Sequence, residues 1–268
     1  IVAIQRTGEP GAGADFWIRG ISSFGANNTP LILVDGIERS MDLVDPEDIA
    51  TFSILKDATA TALYGVRGAN GIVLITTKRG REAKPAINAR VEYGISNPTV
   101  TPKMANASQW MDYYNDITLQ GNGQLAYQPV EYDKHVNHTD PDLYPNVDWW
   151  DTTFRNISNN IRANVNVSGG GKSVRYYVAG SFYSENGIFK PVKNPQYDPQ
   201  VGYKKINFRA NVDINVTRLT ELSLSLSNQY EIKNRLGVAM ESVYNNTLAV
   251  PSVAVVPVFS DGSLSRPI

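Results

Sequence analysis

The fold of this chain is decided by residues 55–80, LKDATATALYGVRGANGIVLITTKRG. This stretch begins at the end of a predicted strand, Ile49–Lys56. Asp57 is a predicted helix N-cap, because its side chain can accept hydrogen bonds from the free N–H groups of the first helical turn. A short helix over Ala58–Tyr64 would end at Gly65, since helices commonly end at a left-handed glycine. After a glycine-rich return, Ile72–Thr77 is the next predicted strand.

A further strand precedes this stretch. Leu31–Val34 is a short apolar run, and the Asp35-Gly36 pair that closes it is typical of a tight turn. Strand, short helix and strand in this order predict a mixed α+β domain, to which we assign residues 1–82.

After Gly80 the sequence changes to an alternation of apolar and polar residues. Between Lys205 and Val216 every even position is apolar and every odd position is polar. A period of two indicates strands with one apolar and one wet face, but it does not say which face points inward. A soluble antiparallel sheet with one buried face is therefore an alternative. The other runs of this kind are Ile87–Tyr93, Ile161–Val167, Val174–Ser184 and Leu222–Ser227.

The connections between these strands alternate in length. Residues 97–158, 185–202 and those after 233 form long connections, whereas 169–172 and 217–220 are tight. Outer-membrane barrels have short periplasmic turns and long extracellular loops. This order favours a barrel over a soluble sheet, and we assign residues 83–268 to antiparallel transmembrane β-barrel strands, the N-terminal portion of a barrel.

The interior of a wide barrel is polar and its exterior carries an apolar band. We therefore expect one face of the Lys205–Val216 strand to meet lipid and the other to meet the lumen. The lipid-facing set is Ile206, Phe208, Val212, Ile214 and Val216, and the lumen-facing set is Asn207, Arg209, Asn211 and Asp213.

The composition excludes several classes of protein. With 25 basic and 26 acidic residues the formal net charge is −1, which gives no electrostatic reason to expect nucleic acid as a partner. There is no cysteine, so a disulfide scaffold, a thiolate zinc site and a cysteine nucleophile are excluded. The best apolar stretch, Leu248–Phe259, is interrupted by Pro251 and Pro257, and no transmembrane helix is predicted.

Residues 48–80 resemble the plug signature of the SusC/RagA family of TonB-dependent outer-membrane transporters. Two upstream blocks agree with the same family, namely Gly8–Gly13 followed by Ile18–Ser23, and Leu33–Gly36. Downstream, Trp150–Phe154 and Val165–Gly170 look like the first barrel hairpin of the family. The resemblance is dense over the plug, looser over the barrel and weakest over residues 97–158.

This resemblance implies an outer-membrane location, with the plug inside a barrel of about 22 strands. It implies TonB-dependent import of oligosaccharides with a SusD-like surface lipoprotein as partner; a peptide importer, or a surface receptor or adhesin without transport, is the alternative. Outer-membrane lipid is an expected partner, while an enzymatic activity, a cofactor, a metal and nucleic acid are not expected. We also expect the chain to be partial, lacking the segment that contacts TonB.

Candidate cargo-binding residues lie on the plug loops that the resemblance turns outward, before Ile18 and after Gly36. Glycines in the first loop expose backbone N–H and C=O groups to sugar hydroxyls or peptide amides. A tryptophan could add a stacking wall, since an aromatic face suits the apolar face of a sugar ring; the alternative is a local core under the long connection. The candidates are Glu9, Gly11, Gly13 and Asp15, then Glu38, Arg39 and Met41, and finally Trp149 and Trp150.

Motifs of other chemistries are incomplete. Gly169–Ser173 is similar to the end of a phosphate-binding loop, but Asn166 stands where the first glycine is required, so a hairpin turn is favoured. His135 and His138 lie among aspartates in one loop without a complete set of metal ligands, which favours a solvated polar loop. A G-x-S-x-G nucleophile elbow is absent from the sequence.

Overall fold

The computed structural model of the chain describes residues 2–5, 7–18, 29–56, 64–68, 70–190 and 200–265. Contacts group the chain into two compact units. The first consists of Ile1–Ile95, Asn159–Gly187 and Gly202–Asn234, and the second of Ser96–Ser158, Ile188–Val201 and Arg235–Ile268. The domain boundary predicted after residue 82 falls just before a strand that starts at Ala83. It stays a prediction, because the first unit holds residues from both sides of it.

The N-terminal part of the first unit contains small sheets. An antiparallel pair and, within the described residues, a four-stranded sheet of order β4-β3-β6-β5 make up this region. Strands β3 and β6 are parallel, while β5 is antiparallel to β6. The strands are β1 (Val2–Ile4), β2 (Asp15–Trp17), β3 (Leu31–Val34), β4 (Ile37–Glu38), β5 (Ile49–Leu55) and β6 (Ile72–Thr77).

Strand β6 is buried on both faces of this sheet, as its unbroken apolar sequence requires. Val73 and Ile75 pack with Val34 and Ile18 on one side. Ile72 packs with Leu31 and Leu33 on the other. The predicted strands over Leu31–Val34 and Ile72–Thr77 are confirmed in their bounds.

Turns in this sheet use residues that tolerate a positive φ. Asp35 and Gly36 have φ values of 50° and 82°, as the two-residue turn between β3 and β4 requires. Gly65 has a φ of 61°, in agreement with its predicted left-handed conformation. The predicted Asp57 cap and the helix that follows it lie outside the described residues up to position 63.

The rest of the first unit is an antiparallel sheet of order β11-β10-β9-β8-β7, five strands in the part of the chain that the structure describes. Each strand has 13 or 14 residues. At about 3.3 Å per residue they reach about 45 Å, enough to cross a hydrocarbon core of about 30 Å at a tilt and to extend beyond it. The strands are β7 (Ala83–Ser96), β8 (Ser158–Gly170), β9 (Val174–Asn186), β10 (Gly202–Asn215) and β11 (Glu221–Asn234).

The two faces of β10 differ in burial as predicted. Ile206 and Phe208 are 50% and 44% exposed, whereas Asn207 and Arg209 are 8% and 4% exposed. The polar face is therefore the covered one, and the apolar face is left open. This confirms the inward direction of the polar set.

The second unit contains helices and its own aromatic core. Helix α1 begins after a capping box at Asn106 and is capped at its C-terminal end by left-handed Gly123. Trp150, Phe154 and Phe189 pack together in a buried cluster. The helices are α1 (Ala107–Asn122), α2 (Pro129–Val136), α3 (Trp149–Thr153) and α4 (Met240–Ala249). Among the described residues no helix is both long enough and apolar enough to span a membrane.

Leu226→Arg and Ser225→Arg are matched neighbours on β11 that test the two faces. Leu226 is 54% exposed on the apolar face, and Ser225 pairs in register with buried Asn211 on the polar face. Arginine on the lipid side near the midplane should lower the free energy of unfolding by about 2 to 4 kcal/mol, while Ser225→Arg should change it little. Denaturant titration of the whole protein in lipid vesicles measures both; equal losses would contradict the face assignment.

Candidate functional site

We call the five-stranded sheet the large sheet and the four-stranded sheet of β3 to β6 the small sheet. On the polar face of the large sheet, side chains form rows that run across β8, β9, β10 and β11. Tight turns join the strands at one end of the rows, and the long connections leave at the other. Beginning at the long connections, the rows are Asn160-Glu185-Tyr203-Lys233, Arg162-Tyr183-Lys205-Glu231, Asn164-Ser181-Asn207-Gln229, Asn166-Ala179-Arg209-Ser227, Ser168-Tyr177-Asn211-Ser225 and Gly170-Arg175-Asp213-Ser223.

The three rows nearest the tight turns, which contain Arg209, Asn211 and Asp213, contact the small sheet directly. We call them the docking rows. Asn211 Nδ2 donates to Thr77 Oγ1 at 3.0 Å and to the Lys78 carbonyl at 2.8 Å. Arg79 forms an ion pair with Asp213 at 2.7 Å. The end of β6 is thus fixed to β10 by polar contacts.

Arg209 is the centre of the docking rows. Its guanidinium lies 3.4 Å from Asp48 Oδ2 and 3.9 Å from Asp35 Oδ2, and it is almost fully buried. Asp35 also accepts hydrogen bonds from the Thr77 backbone N–H and hydroxyl, at 2.9 and 2.7 Å. Because Asp35 occupies the β3–β4 turn, one cation joins that turn, the end of β6 and the wall of the large sheet.

Burial raises the pKa of Asp48 above its ordinary value of 3.8, and neighbouring Asp45 adds to this rise. The hydrogen bond from the Tyr177 hydroxyl, 2.8 Å from Asp48 Oδ1, and the charge of Arg209 act in the opposite direction. The net direction is upward, so desolvation of this carboxylate outweighs its contacts.

The rows nearest the long connections do not close onto the small sheet. They line a cavity of about 600 Å³ that we call the cleft. Its opposite side is formed by the N-terminal segment around Gly11 and by the segment from Ser40 to Pro46. The wall residues are Arg162, Tyr183, Glu185, Tyr203, Lys205, Asn207, Gln229, Glu231 and Lys233.

Gly11 fixes the rim of the cleft by a close approach. Its φ is 68°, and an added Cβ would lie 2.5 Å from Cγ of the Tyr203 ring. The Gly11 backbone N–H donates to Glu185 Oε2 at 3.1 Å. Only glycine combines this backbone conformation with this contact.

Charged groups inside the cleft are largely paired with each other. Lys205 Nζ donates to the Asp42 carbonyl, and Glu231 accepts from the Tyr203 hydroxyl at 2.8 Å. Lys233 lies 3.4 Å from Glu231 and above the Tyr203 ring, at 5.1 Å from its centroid. The cleft is therefore polar and of mixed charge.

The candidate loop residues are divided by the structure. Gly11 and Gly13 line the cleft. Met41 packs against the apolar core of the small sheet, because it begins the 3₁₀ turn Met41–Leu43. Its neighbours Ser40 and Asp42 line the cleft instead.

The other loop candidates are not among the residues that line the cleft. The carbonyl of Glu9 accepts from the Ala12 N–H, and Asp15 begins β2. Glu38 pairs with Arg67 on the surface, and the Arg39 N–H donates to Ile32. Their role in binding stays a prediction.

The tryptophans belong to the second unit. Trp150 is buried, with its ring 4.5 Å from that of Phe154, and the half-buried Trp149 donates from Nε1 to the Pro251 carbonyl at 3.2 Å. This packing favours the local-core interpretation for Trp150. His135 is also buried in this unit, with Nδ1 2.7 Å from the Pro145 carbonyl; among the described residues no cluster of His, Cys, Asp or Glu could hold a metal.

Sequence reasoning missed the wall of the cleft. Lys205 and Asn207 were visible as polar members of an alternating run, whereas Tyr203 and Gln229 lie just outside the predicted runs. Their position in the strands, close to the long connections, is the signal that could have found them. The small sheet contacts the end of the large sheet near the tight turns, so the polar face near the long connections stays uncovered.

Comparison with known proteins agrees with this architecture. Residues 1–72 match the family model of the TonB-dependent Receptor Plug Domain. TonB-dependent receptor P26 of Formosa agariphila is 31% identical over 220 residues, covering 80% of this chain and 20% of that protein. TonB-dependent receptor SusC of Bacteroides thetaiotaomicron is 30% identical over 235 residues, covering 81% of this chain and 21% of that protein.

Solved structures share the fold. The RagAB peptide transporter matches with a TM-score of 0.74 and 24% identity, over 98% of this chain and 31% of the matched one. The RagAB peptide importer in its open-open state matches with a TM-score of 0.73 and 25% identity, over the same shares. The chain spans about a fifth of the length of the curated relatives it matches.

A plug domain docked on the polar face of long antiparallel strands defines a TonB-dependent receptor, which is a protein of the bacterial outer membrane. Within that class the chain belongs to the SusC/RagA-like family. The small sheet is accordingly the plug, and the large sheet is the start of the barrel wall.

Asp48→Asn tests the electrostatics of the docking rows. The folded-state pKa of Asp48 lies above its unfolded value, so its contribution is most favourable below about pH 4 and is lost as the pH rises through the folded pKa. Asparagine mimics the neutral form at every pH. The variant should therefore be more stable than the parent at about pH 7, with a difference that shrinks towards pH 4, in urea titrations across that range. A gap that widens on acidification would contradict the upward shift.

Proposed function

We propose that this chain supplies the plug and first barrel strands of a TonB-dependent importer of oligosaccharides that works with a SusD-like surface lipoprotein. The observation that carries the proposal is the division of the inner wall. The docking rows hold the plug, and the rows above them leave a polar cleft at the end of the long connections.

A plug fastened by polar contacts suits an importer that must move it. Each polar contact contributes only about 0.5 to 1.5 kcal/mol net, because water replaces the lost partner when the groups separate. Asn211, Arg209 and Asp213 can be hydrated in this way, whereas an apolar seam would expose surface to water. A pull by TonB could therefore release the plug stepwise.

A peptide importer is the second candidate. The matched RagAB structures are named as a peptide transporter or importer. In addition, the cleft holds both signs of charge, in Glu185, Glu231, Lys205 and Lys233, which suits the two termini of a peptide. A receptor without transport is the remaining alternative, since cargo can bind the cleft while the plug stays docked.

A disulfide between plug and wall separates import from binding. The chain has no cysteine, and the Thr77 and Asn211 side chains are in contact at 3.0 Å. With Thr77→Cys and Asn211→Cys combined in the whole transporter, oxidation should block energised uptake while cargo binding persists, and a reductant should restore uptake. Growth on defined oligosaccharides or peptides as sole carbon source identifies the cargo class.

The single-cysteine variants are the controls and should import normally in both redox states. Uptake that continues through the oxidised pair would contradict plug release at this seam. Binding that never leads to energised uptake in the parent would favour a receptor. Growth defects confined to peptides would favour the second candidate.

A further inference from the structure

The innermost row of the cleft is unusual in its unpaired polar atoms. Asn164, Ser181, Asn207 and Gln229 pair across β8 to β11, and we call them the amide row. Within the part of the chain that the structure describes, Asn164 Nδ2, Asn207 Oδ1 and Gln229 Oε1 are buried without a hydrogen-bond partner. Buried polar groups in folded proteins are as a rule hydrogen-bonded. Of these three residues, Asn207 and Gln229 line the cleft, so they are placed to receive a partner from outside the chain.

The orientation of Gln229 follows from its neighbour. Its Nε2 donates to Glu231 Oε1, and an ionised carboxylate can only accept. The other atom of the amide, Oε1, is therefore an acceptor on the cleft wall. Gln229 requires a donor from its ligand.

Asn207 is more adaptable. Its amide lies 3.2 Å from the Ser181 hydroxyl, which can donate or accept. Asn207 can therefore present either its oxygen or its nitrogen, and it is 8% exposed at the base of the cleft. It can therefore pair with a ligand group that donates or with one that accepts.

Formal charges do not enter the amide row. The cations of the two adjacent rows are engaged, Lys205 with the Asp42 carbonyl and Arg209 with Asp48 and Asp35. The adjacent anion, Glu231, accepts from Tyr203 and Gln229. An ammonium or carboxylate from a ligand would meet neutral amides here and lose its hydration without a counter-charge. The row therefore favours an uncharged polar ligand.

We propose that Asn207 and Gln229 form a specificity subsite for a hydroxyl-bearing sugar ring of a neutral oligosaccharide. This rests on the proposed function and deepens it. A hydroxyl donates to Gln229 Oε1 and satisfies Asn207 in either orientation, whereas a peptide N–H only donates and a peptide carbonyl only accepts. A cleft of about 600 Å³ has room for such a ring.

Gln229→Met and Asn207→Leu in the whole transporter test this subsite, with Asn228→Leu as the matched control. Methionine and leucine keep the approximate size and remove the amide. Asn228 is exposed on the opposite face of the same strand. The probes are a panel of neutral oligosaccharides of four to eight sugar units and a panel of uncharged and charged peptides of three to ten residues, with affinity measured by calorimetry.

Neutral oligosaccharide binding by the parent should weaken roughly 2- to 10-fold in each variant, as expected for one lost hydrogen bond, and stay unchanged in Asn228→Leu. Equal oligosaccharide affinity in parent and variants would overturn the subsite, as would binding of peptides alone or of neither panel. Energised uptake of whichever cargo binds is measured separately. Uptake that persists without an effect of these variants would sink the subsite and leave the importer standing.

Discussion

The contact between Arg209 and the plug carboxylates Asp48 and Asp35 is the constraint on which the first unit depends. It places a buried cation at the middle of β10 and obliges the plug to bring acceptors to it. Asp35 can do so because the β3–β4 turn holds it in a left-handed conformation, from which its carboxylate also binds Thr77. The turn, the end of β6 and the barrel wall are thereby fixed relative to one another.

Docking on the turn side determines where a site can exist. The contacts of Asn211 and Asp213 hold β6 against the docking rows. The rows nearest the long connections therefore remain uncovered and form one wall of the cleft. Its rim is then defined by Tyr203 against Gly11, and its interior by paired charges above neutral amides. The plug therefore covers the docking rows of the barrel wall and forms the opposite side of the cleft over the remaining rows.

Sequence was sufficient where the signal is local. The alternation from Lys205 to Val216 predicted a strand with one apolar and one polar face, because a period of two is visible within one strand. Which face points inward followed only from the polar interior of a wide barrel. Flanking turn residues marked the bounds of Ile72–Thr77. Strand pairing is not local, so the neighbours Asn207 and Gln229 could not be recognised as one row. The packing of Met41 was not visible for a similar reason, since only the 3₁₀ turn shows that it packs against the plug core while Asp42 lines the cleft. Its role in cargo binding stays a prediction.

The two-residue period of β10 also bears on how this protein can diverge. Insertion or deletion of one residue within the strand would send Arg209 and Asn211 towards lipid and bring Ile206 and Phe208 against the plug. Point substitutions in β10 change one contact, but a single-residue length change reverses them all. A change of length in one of the long connections, by contrast, leaves this alternation intact, so those segments can change without disturbing the wall.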